Sequence, residues 1–246
     1  MRLKNDISSI DYKETHEFFR HRAQKYNSNN PYAVTMYQDK HPELVDSRNK
    51  QEIAKLMPLL QLDKDSTLLD VACGIGRWSE AINIDIEKYV GLDFSAELIN
   101  IAKKRNQKKK HFFIVSSAIN IKETIQCSEL GNFNRILLIG ILMYLNDDDL
   151  IRVLQDVESV AMNETQICIR EPIGIRNRLT LKDHFSEELE DNYNAIYRTR
   201  DEIKFFLEET LLCKGFKISK EGYLFDDPNL NNRRETAQYY FILERK

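Results

Sequence analysis

From about Ser66 onward, apolar and polar positions alternate in blocks. TLLDVAC (67–73) is a short apolar run, followed by the turn-and-helix sequence GIGRWSEAI. YVGLD (89–93) is a second apolar run, followed by the helical period of SAELINIAKKR. HFFIVSS, RILLIGIL and TQICIREP continue the series. Between the last two lies the helix DDDLIRVLQDVESVA, with Asp147 or Asp148 near its N-terminus, where a negative charge suits the helix dipole. Near-continuous apolar strands separated by helices predict an α/β fold with a parallel sheet covered on both faces. After DEIKFFLEETLLCKGF, a helix ending at Gly215, the segments FKISKEGYLF and AQYYFILE read as two closing strands.

Two stretches stand outside this rhythm. Residues 1–47 are rich in charge and aromatics: ETHEFFRHRAQKY reads as an amphipathic helix with Phe18, Phe19, Arg22 and Tyr26 near one face, broken by NSNNP at 27–31. A second helix is expected from about Ser47 through RNKQEIAKLMPLL, capped by Ser47 or Asp46. Residues 173–200 are polar, arginine-bearing and too long for an ordinary strand-to-helix connection. A long insertion at that point is either an inert surface loop or part of an active-site wall, because loops at the carboxyl ends of parallel strands surround the binding crevice. The expected organisation is a helical cap or lid at 1–47, a main domain at 48–246, and an active-site insertion at 173–200.

Composition narrows the function classes. With 246 residues, 42% hydrophobic and 10% aromatic, the chain can bury a sizeable core. Thirty-six basic against 39 acidic residues give −3, which offers no drive towards nucleic acid or anionic membrane. The run KKRNQKKK at 103–110 has no interleaved aromatic and reads as a solvated helix end. No apolar stretch is long enough for a transmembrane helix, and MRLKNDISSIDYKETHEFF lacks the apolar run of a secretory signal. Cys73, Cys127, Cys168 and Cys213 are scattered without a CxxC pair, as expected for reduced thiols in a cytoplasmic protein. The five histidines show no metal-ligand spacing, and no GxSxG nucleophile motif is present. No bound metal is expected.

The informative segment is LLDVACGIGRW (68–78). A strand ends near Asp70, and a turn of small residues, Ala72, Gly74 and Gly76 among them, leads straight into a helix. Small residues let a ligand approach the backbone, beside the free N–H groups of a new helix. Asp93 lies 17 residues past Gly76 at the end of the next strand, where a carboxylate can accept from ribose hydroxyls. The third glycine of GxGxxG is absent, Ser79 standing there. A bare strand–turn–helix without a ligand is the competing reading.

LLDVACGIGRW followed by YVGLDFSAELINIAKKR resembles the first two motifs of class I S-adenosylmethionine-dependent methyltransferases. FNRILLIGILMYLNDDDL resembles the fourth, and the closing strands resemble the family's sixth and seventh. The likeness covers roughly residues 48–246. It implies a Rossmann-like, seven-stranded, mostly parallel sheet with an antiparallel last strand, and S-adenosyl-L-methionine as cofactor. It further implies that Asp70 orients the glycine turn and that Ala72, Gly74 and Gly76 line the methionine portion. Arg48 would hold the methionine carboxylate, Asp93 the ribose hydroxyls, and Phe94 would flank the adenine. Ser117 and Ala118 would meet the adenine amino group, and Gly140 and Ile141 would floor the pocket beneath the sulfonium. Ala72 replaces the commoner glycine and Ser117 the commoner Asp; Ser accepts a hydrogen bond but carries no charge. Trp78 either packs the first helix on the sheet or lines the cofactor pocket.

Acceptor residues follow from placement. Arg170 ends the fifth strand at the cofactor edge, and Lys182 and Arg198 follow in the insertion. Arg22, Tyr26, Tyr32 and Tyr37 lie in the N-terminal segment, and Tyr144 follows the fourth strand. Arg170, Lys182, Tyr32 and Tyr37 are the catalytic candidates; Arg22, Tyr26, Tyr144 and Arg198 are the substrate-binding ones. FFRHRAQKY, NPYAVTMYQDKHPEL, RNKQE and REP…K are also similar to methyltransferases of phosphonate or phosphoramidate oxygens. The expected function is methylation of a small anionic acceptor, on oxygen, with a small-molecule substrate as partner and neither nucleic acid nor membrane; the sequence leaves the oligomeric state open. The alternatives are a sugar or nucleotide-sugar O- or N-methyltransferase, or a non-catalytic S-adenosylmethionine-binding protein. No NPPY-type segment follows strand four, which argues against the nucleic-acid amino-methyltransferase branch.

Overall fold

A computed structural model describes all 246 residues. The N-terminal segment holds β1 (Arg2–Lys4), α1 (Tyr12–Gln24), α2 (Ala33–Met36) and α3 (Pro42–Leu56). The α/β series follows: β2 (Thr67–Val71), α4 (Arg77–Ala81), β3 (Lys88–Asp93), α5 (Ala96–Arg105), β4 (His111–Val115), α6 (Ile121–Cys127), β5 (Phe133–Ile139), α7 (Asp147–Ser159) and β6 (Ala161–Gly174). Then come β7 (Leu179–Ser186), β8 (Asp191–Tyr197), α8 (Arg200–Thr210), β9 (Lys217–Tyr223) and β10 (Thr236–Arg245).

Seven strands form one sheet in the order β4-β3-β2-β5-β6-β10-β9. The first five run parallel, and β10 is antiparallel to both its neighbours. The expected seven-stranded, mostly parallel sheet with an antiparallel last strand is therefore what the chain forms. The apolar strands have two dry faces: Leu69, Val71, Ile136 and Leu138 join one core, while Leu68 and Leu137 join another on the opposite side. Strand order reverses between β2 and β5, which opens a crevice at their carboxyl ends.

Two expectations need correcting. The helix expected to start near Ser47 begins at Pro42, because proline suits a first helical position whose N–H would be unpaired anyway. The 173–200 stretch is not irregular: β7 and β8 form a hairpin that β1 extends into a separate three-stranded sheet. Its alternation is visible in hindsight, since Leu179, Leu181, Tyr193, Ala195 and Tyr197 pack with Phe18, Phe19 and Val34 in a third core. No helix is long and apolar enough to cross a membrane.

Candidate active site

After β2 the chain turns through Ala72, Gly74 and Gly76, with φ of 60°, 56° and 77°. A Cβ on Gly76 would fall 2.6 Å from Asn106 Nδ2, so both conformation and space call for glycine there. Asp93 ties this turn down: its Oδ2 accepts from the Gly74 N–H and its Oδ1 from the Ser95 N–H, each at 2.9 Å. Burial pushes the Asp93 carboxyl up to about 6 against these two stabilising bonds. Asp70 sits beneath the turn and accepts from the Tyr89 hydroxyl at 2.5 Å. Burial pushes it up to about 7.

A cleft with about 1040 Å³ of empty space, partly open to solvent, runs along the carboxyl edge of the sheet. One end is charged. Glu52 of α3, 2% exposed, pairs with Arg77 of α4 and, at 3.1 Å, with Arg170 of β6. Burial works to raise the Glu52 carboxyl, but Arg170 and Arg77 outweigh it and hold the group below its ordinary value. Arg170 also donates to Gln238 at 3.1 Å, which leaves its buried Nε without a partner. Arg48 donates from Nε to the Leu230 carbonyl at 2.6 Å, and its buried Nη1 has no partner. Gly140, at φ 71°, leaves room for the Arg170 guanidinium, which a Cβ would approach to 3.1 Å.

The other end is phenolic. Tyr37, Tyr144, Tyr193 and Tyr197 all line it. The Tyr37 and Tyr144 hydroxyls bond each other, Tyr144 meets Tyr193 at 3.1 Å, and Tyr193 meets Tyr197 at 3.2 Å. Burial raises the phenols of Tyr37, Tyr144 and Tyr193, so they stay protonated and can donate. Glu171 holds the loop that carries Tyr144: its carboxylate accepts from the N–H groups of Ile141, Leu142 and Met143 at 2.8, 2.9 and 3.2 Å. Phe19, Phe94 and Leu98 supply apolar wall, and no histidine lines the cleft.

Residues 68–163 match the model of a methyltransferase domain family. Over this stretch the chain is similar to that family. A demethylmenaquinone methyltransferase from Oceanobacillus iheyensis is 30% identical over 98 residues, 39% of this chain and 37% of that protein. The chain thus spans little more than a third of the curated relative it matches. Phosphoethanolamine N-methyltransferase 1 of Haemonchus contortus, solved with phosphoethanolamine and S-adenosylhomocysteine, superposes with a TM-score of 0.69 at 14% identity, over 96% of this chain and 50% of that one. The DhpI complex with S-adenosylhomocysteine superposes at 0.63 and 15% identity, over 94% and 95%. The fold is accordingly the Rossmann-like class I fold.

The sheet edge and the N-terminal layer bring ten of the expected residues to the cleft. Arg48, Ala72, Gly74, Asp93, Phe94, Gly140, Ile141 and Arg170 line it together with Tyr37 and Tyr144. Gly76 and the buried Trp78 lie behind the turn, with Trp78 packed in the core against Ile82 and Tyr89. Ser117 and Ala118 follow β4, half-buried and off the cleft wall. Asp70 bonds Tyr89 instead of the turn, which Asp93 anchors.

Five acceptor candidates are placed elsewhere. Arg22 is buried and bonds Asp39 and the carbonyls of Ala33 and Val34, so it fixes the N-terminal segment. Arg198 is equally consumed by the Leu142 and Leu145 carbonyls, both at 2.7 Å, and by Asp147. Tyr32 donates to Glu80 at 2.7 Å, and Tyr26 accepts from Arg105 at 3.0 Å, both away from the cleft. Lys182 follows Leu181 on β7; the alternation that buries Leu181 turns Lys182 away. Glu52, Tyr193, Tyr197 and Gln238 are among the polar cleft residues that the sequence reading missed. Glu52 carried a signal, lying one helical turn past Arg48.

Proposed function

We propose that this chain is an S-adenosylmethionine-dependent methyltransferase that methylates an oxygen of a small anionic acceptor, of the phosphonate or phosphoramidate type. The cleft fits the donor in two respects. The turn at Gly74 is bare, a Cβ there falling 2.8 Å from Thr35 Cγ2, and the buried Arg48 Nη1 lacks a partner, as a carboxylate-binding group would. In this reading Asp93 takes the ribose hydroxyls, Phe94 the adenine, and Arg48 the amino-acid carboxylate. Asp70, Gly76 and Trp78 support the turn from behind. When bound, the sulfonium supplies an electrophilic methyl group, so the protein's work is alignment, exclusion of water and charge stabilisation.

The observation that carries the acceptor class is the phenolic end: hydroxyl donors, apolar wall and no histidine. The carboxylates that line the cleft are engaged, Glu52 by two arginines and Asp93 by two backbone N–H groups. An oxygen nucleophile that arrives ionised requires no base, whereas a neutral sugar hydroxyl does. Arg170, already paired to Glu52, adds positive potential between the two ends and does not clamp the acceptor alone. A second reading, methylation of an amine on an anion-bearing molecule, is favoured by the phosphoethanolamine held in the Haemonchus neighbour.

Isothermal titration with S-adenosylhomocysteine tests the donor site: wild type binds, and Asp93→Ala weakens binding at least ten-fold. Equal binding by the two proteins removes the assignment. Turnover on alkylphosphonates, phosphoethanolamine and neutral sugars then separates the acceptor classes, and methylation of sugars alone defeats the anionic one.

A further inference from the structure

The β7–β8 hairpin leaves the main sheet and returns to it at one place. Gly174 ends β6, its N–H donates to the Arg198 carbonyl at 2.9 Å, and a Cβ there would fall 2.1 Å from the Asn177 carbonyl oxygen. Leu179 at the start of β7 pairs with Tyr197 at the end of β8, so Arg178 and Arg198 flank the two roots. Both arginines are buried, and both turn to a single atom. Asp147 Oδ1, at the first position of α7, accepts from Arg178 Nη2 at 3.0 Å and from Arg198 Nε and Nη2 at 2.8 and 2.5 Å. Arg198 carries the connection inward, donating to the Leu142 and Leu145 carbonyls, both at 2.7 Å. Glu171 holds the N–H groups of the same turn from the other side. The turn brings Met143 and Tyr144 to the cleft, and the hairpin brings Tyr193 and Tyr197. The Tyr144–Tyr193 contact of 3.1 Å thus bridges two segments that Asp147 joins from behind.

We infer that Asp147 is a positioning residue for the acceptor: by drawing both hairpin roots onto the Ile141–Leu145 turn, it sets how far Tyr193 and Tyr197 stand from Tyr144. That these phenols face an acceptor rests on the function proposed above. Asp147 and the two arginines lie outside the cleft, so none of them touches what it holds. Without the carboxylate, two like charges are left buried near each other and short of a counter-ion. Arg178 then keeps only Glu202, at 3.3 Å on α8, and Arg198 keeps only carbonyls, so the roots lose their common anchor. The tyrosine hydroxyls can change partners, but the segments that bear them keep one spacing. A misplacement of about 1 Å can cost on the order of a hundred-fold in rate, so a joint behind the wall is enough to govern acceptor use.

The test combines calorimetry and hydrogen exchange on the full chain. Asp147→Ala weakens methylphosphonate binding to the S-adenosylhomocysteine-saturated protein about ten-fold. Its affinity for S-adenosylhomocysteine itself stays within about two-fold, because the donor residues share no partner with Asp147. Asp147→Asn, which keeps an oxygen in the same place, recovers part of the loss; a general weakening of the fold would move both ligands together. In exchange, residues 141–145 and 191–197 lose protection together in Asp147→Ala, while 67–71 and 88–93 keep theirs. Unchanged methylphosphonate binding, equal losses for both ligands, or a hairpin that loosens without the turn overturns the inference. Should Asp147→Ala not fold, Arg178→Gln, which frees one root and leaves Arg198 paired, must show the same split at smaller size. If wild type binds S-adenosylhomocysteine but not methylphosphonate, the anionic-acceptor reading fails, and the exchange pattern still decides whether Asp147 joins the two segments.

Discussion

The two ends of the cleft keep polar groups out of water in opposite ways. At the charged end Glu52 sits between Arg77 and Arg170, so one carboxylate serves two guanidinium groups and a net positive charge remains. At the phenolic end four neutral hydroxyls satisfy one another. Buried ions carry a heavy desolvation cost and tolerate the loss of a partner badly. A phenol remains a large apolar ring with one polar handle, so its burial is cheap and its hydroxyl can be lost with little harm to the fold. The charged end is therefore structurally committed, whereas the phenolic end can change with the ligand it meets.

The sharpest way to break this contrast is Glu52→Ala, which leaves two arginines buried against each other without a counter-ion. Loss of one partner from a buried ionic group costs about 3–5 kcal/mol. The expected result is a large fall in denaturation midpoint, whereas Tyr193→Phe, equally buried, shifts stability by no more than about 1 kcal/mol. Comparable losses from the two substitutions would erase the distinction.

Smaller, and readable in the wild type, is the pH dependence. Asp70 and Glu171 are pushed by burial up to about 7 and Asp93 up to about 6, against ordinary values of 3.8, 4.5 and 3.8. Between pH 5 and 7 the folded chain therefore holds protons that the unfolded chain has released, and stability falls as pH rises through that window. Glu52 and Asp147, held below their ordinary values, oppose this only at lower pH. Asp93 alone contributes on the order of 1 kcal/mol to the decline across this window. Urea unfolding from pH 5 to 8 should show the decline, and Asp93→Asn should flatten it; stability rising over the same range would contradict it.

The same contrast explains what the sequence disclosed. The sheet-side residues Ala72, Gly74, Asp93 and Gly140 each end a strand or follow one, and apolar strands ending in small residues are local patterns. Tyr144 also follows a strand, and its place could be read. Tyr193 and Tyr197 could not, because their stretch read as a polar loop and its pairing with β1 joins residues nearly 180 positions apart. Charge was misleading for a physical reason: Arg22, Arg198 and Lys182 are equivalent in sequence to Arg48. Only packing decides which guanidinium finds carbonyls of its own chain and which keeps an unpaired nitrogen in the cleft.

The smallest expected effect compares backbone strain at the two ends. Ala72, in the turn after β2, and Gln38, beside the phenolic end, both have side chains at left-handed φ, 60° and 68°. A non-glycine residue there costs roughly 1–2 kcal/mol. Glycine relieves that cost but restores freedom to the unfolded chain, which takes back about 0.4–1 kcal/mol. The net gain from Ala72→Gly or Gln38→Gly is thus about 0.5–1 kcal/mol in unfolding free energy. The two should part in binding. Ala72 is flanked by β2 and by a turn tied to Asp93, so glycine leaves S-adenosylhomocysteine affinity within about two-fold. Gln38 is linked through its N–H to Glu188 on the hairpin and adjoins the strained Tyr37, so glycine there loosens the aim of the Tyr37 hydroxyl and weakens methylphosphonate binding a few-fold. If Gln38→Gly stabilises the fold and leaves that binding untouched, the strain at the phenolic end has no part in holding a ligand.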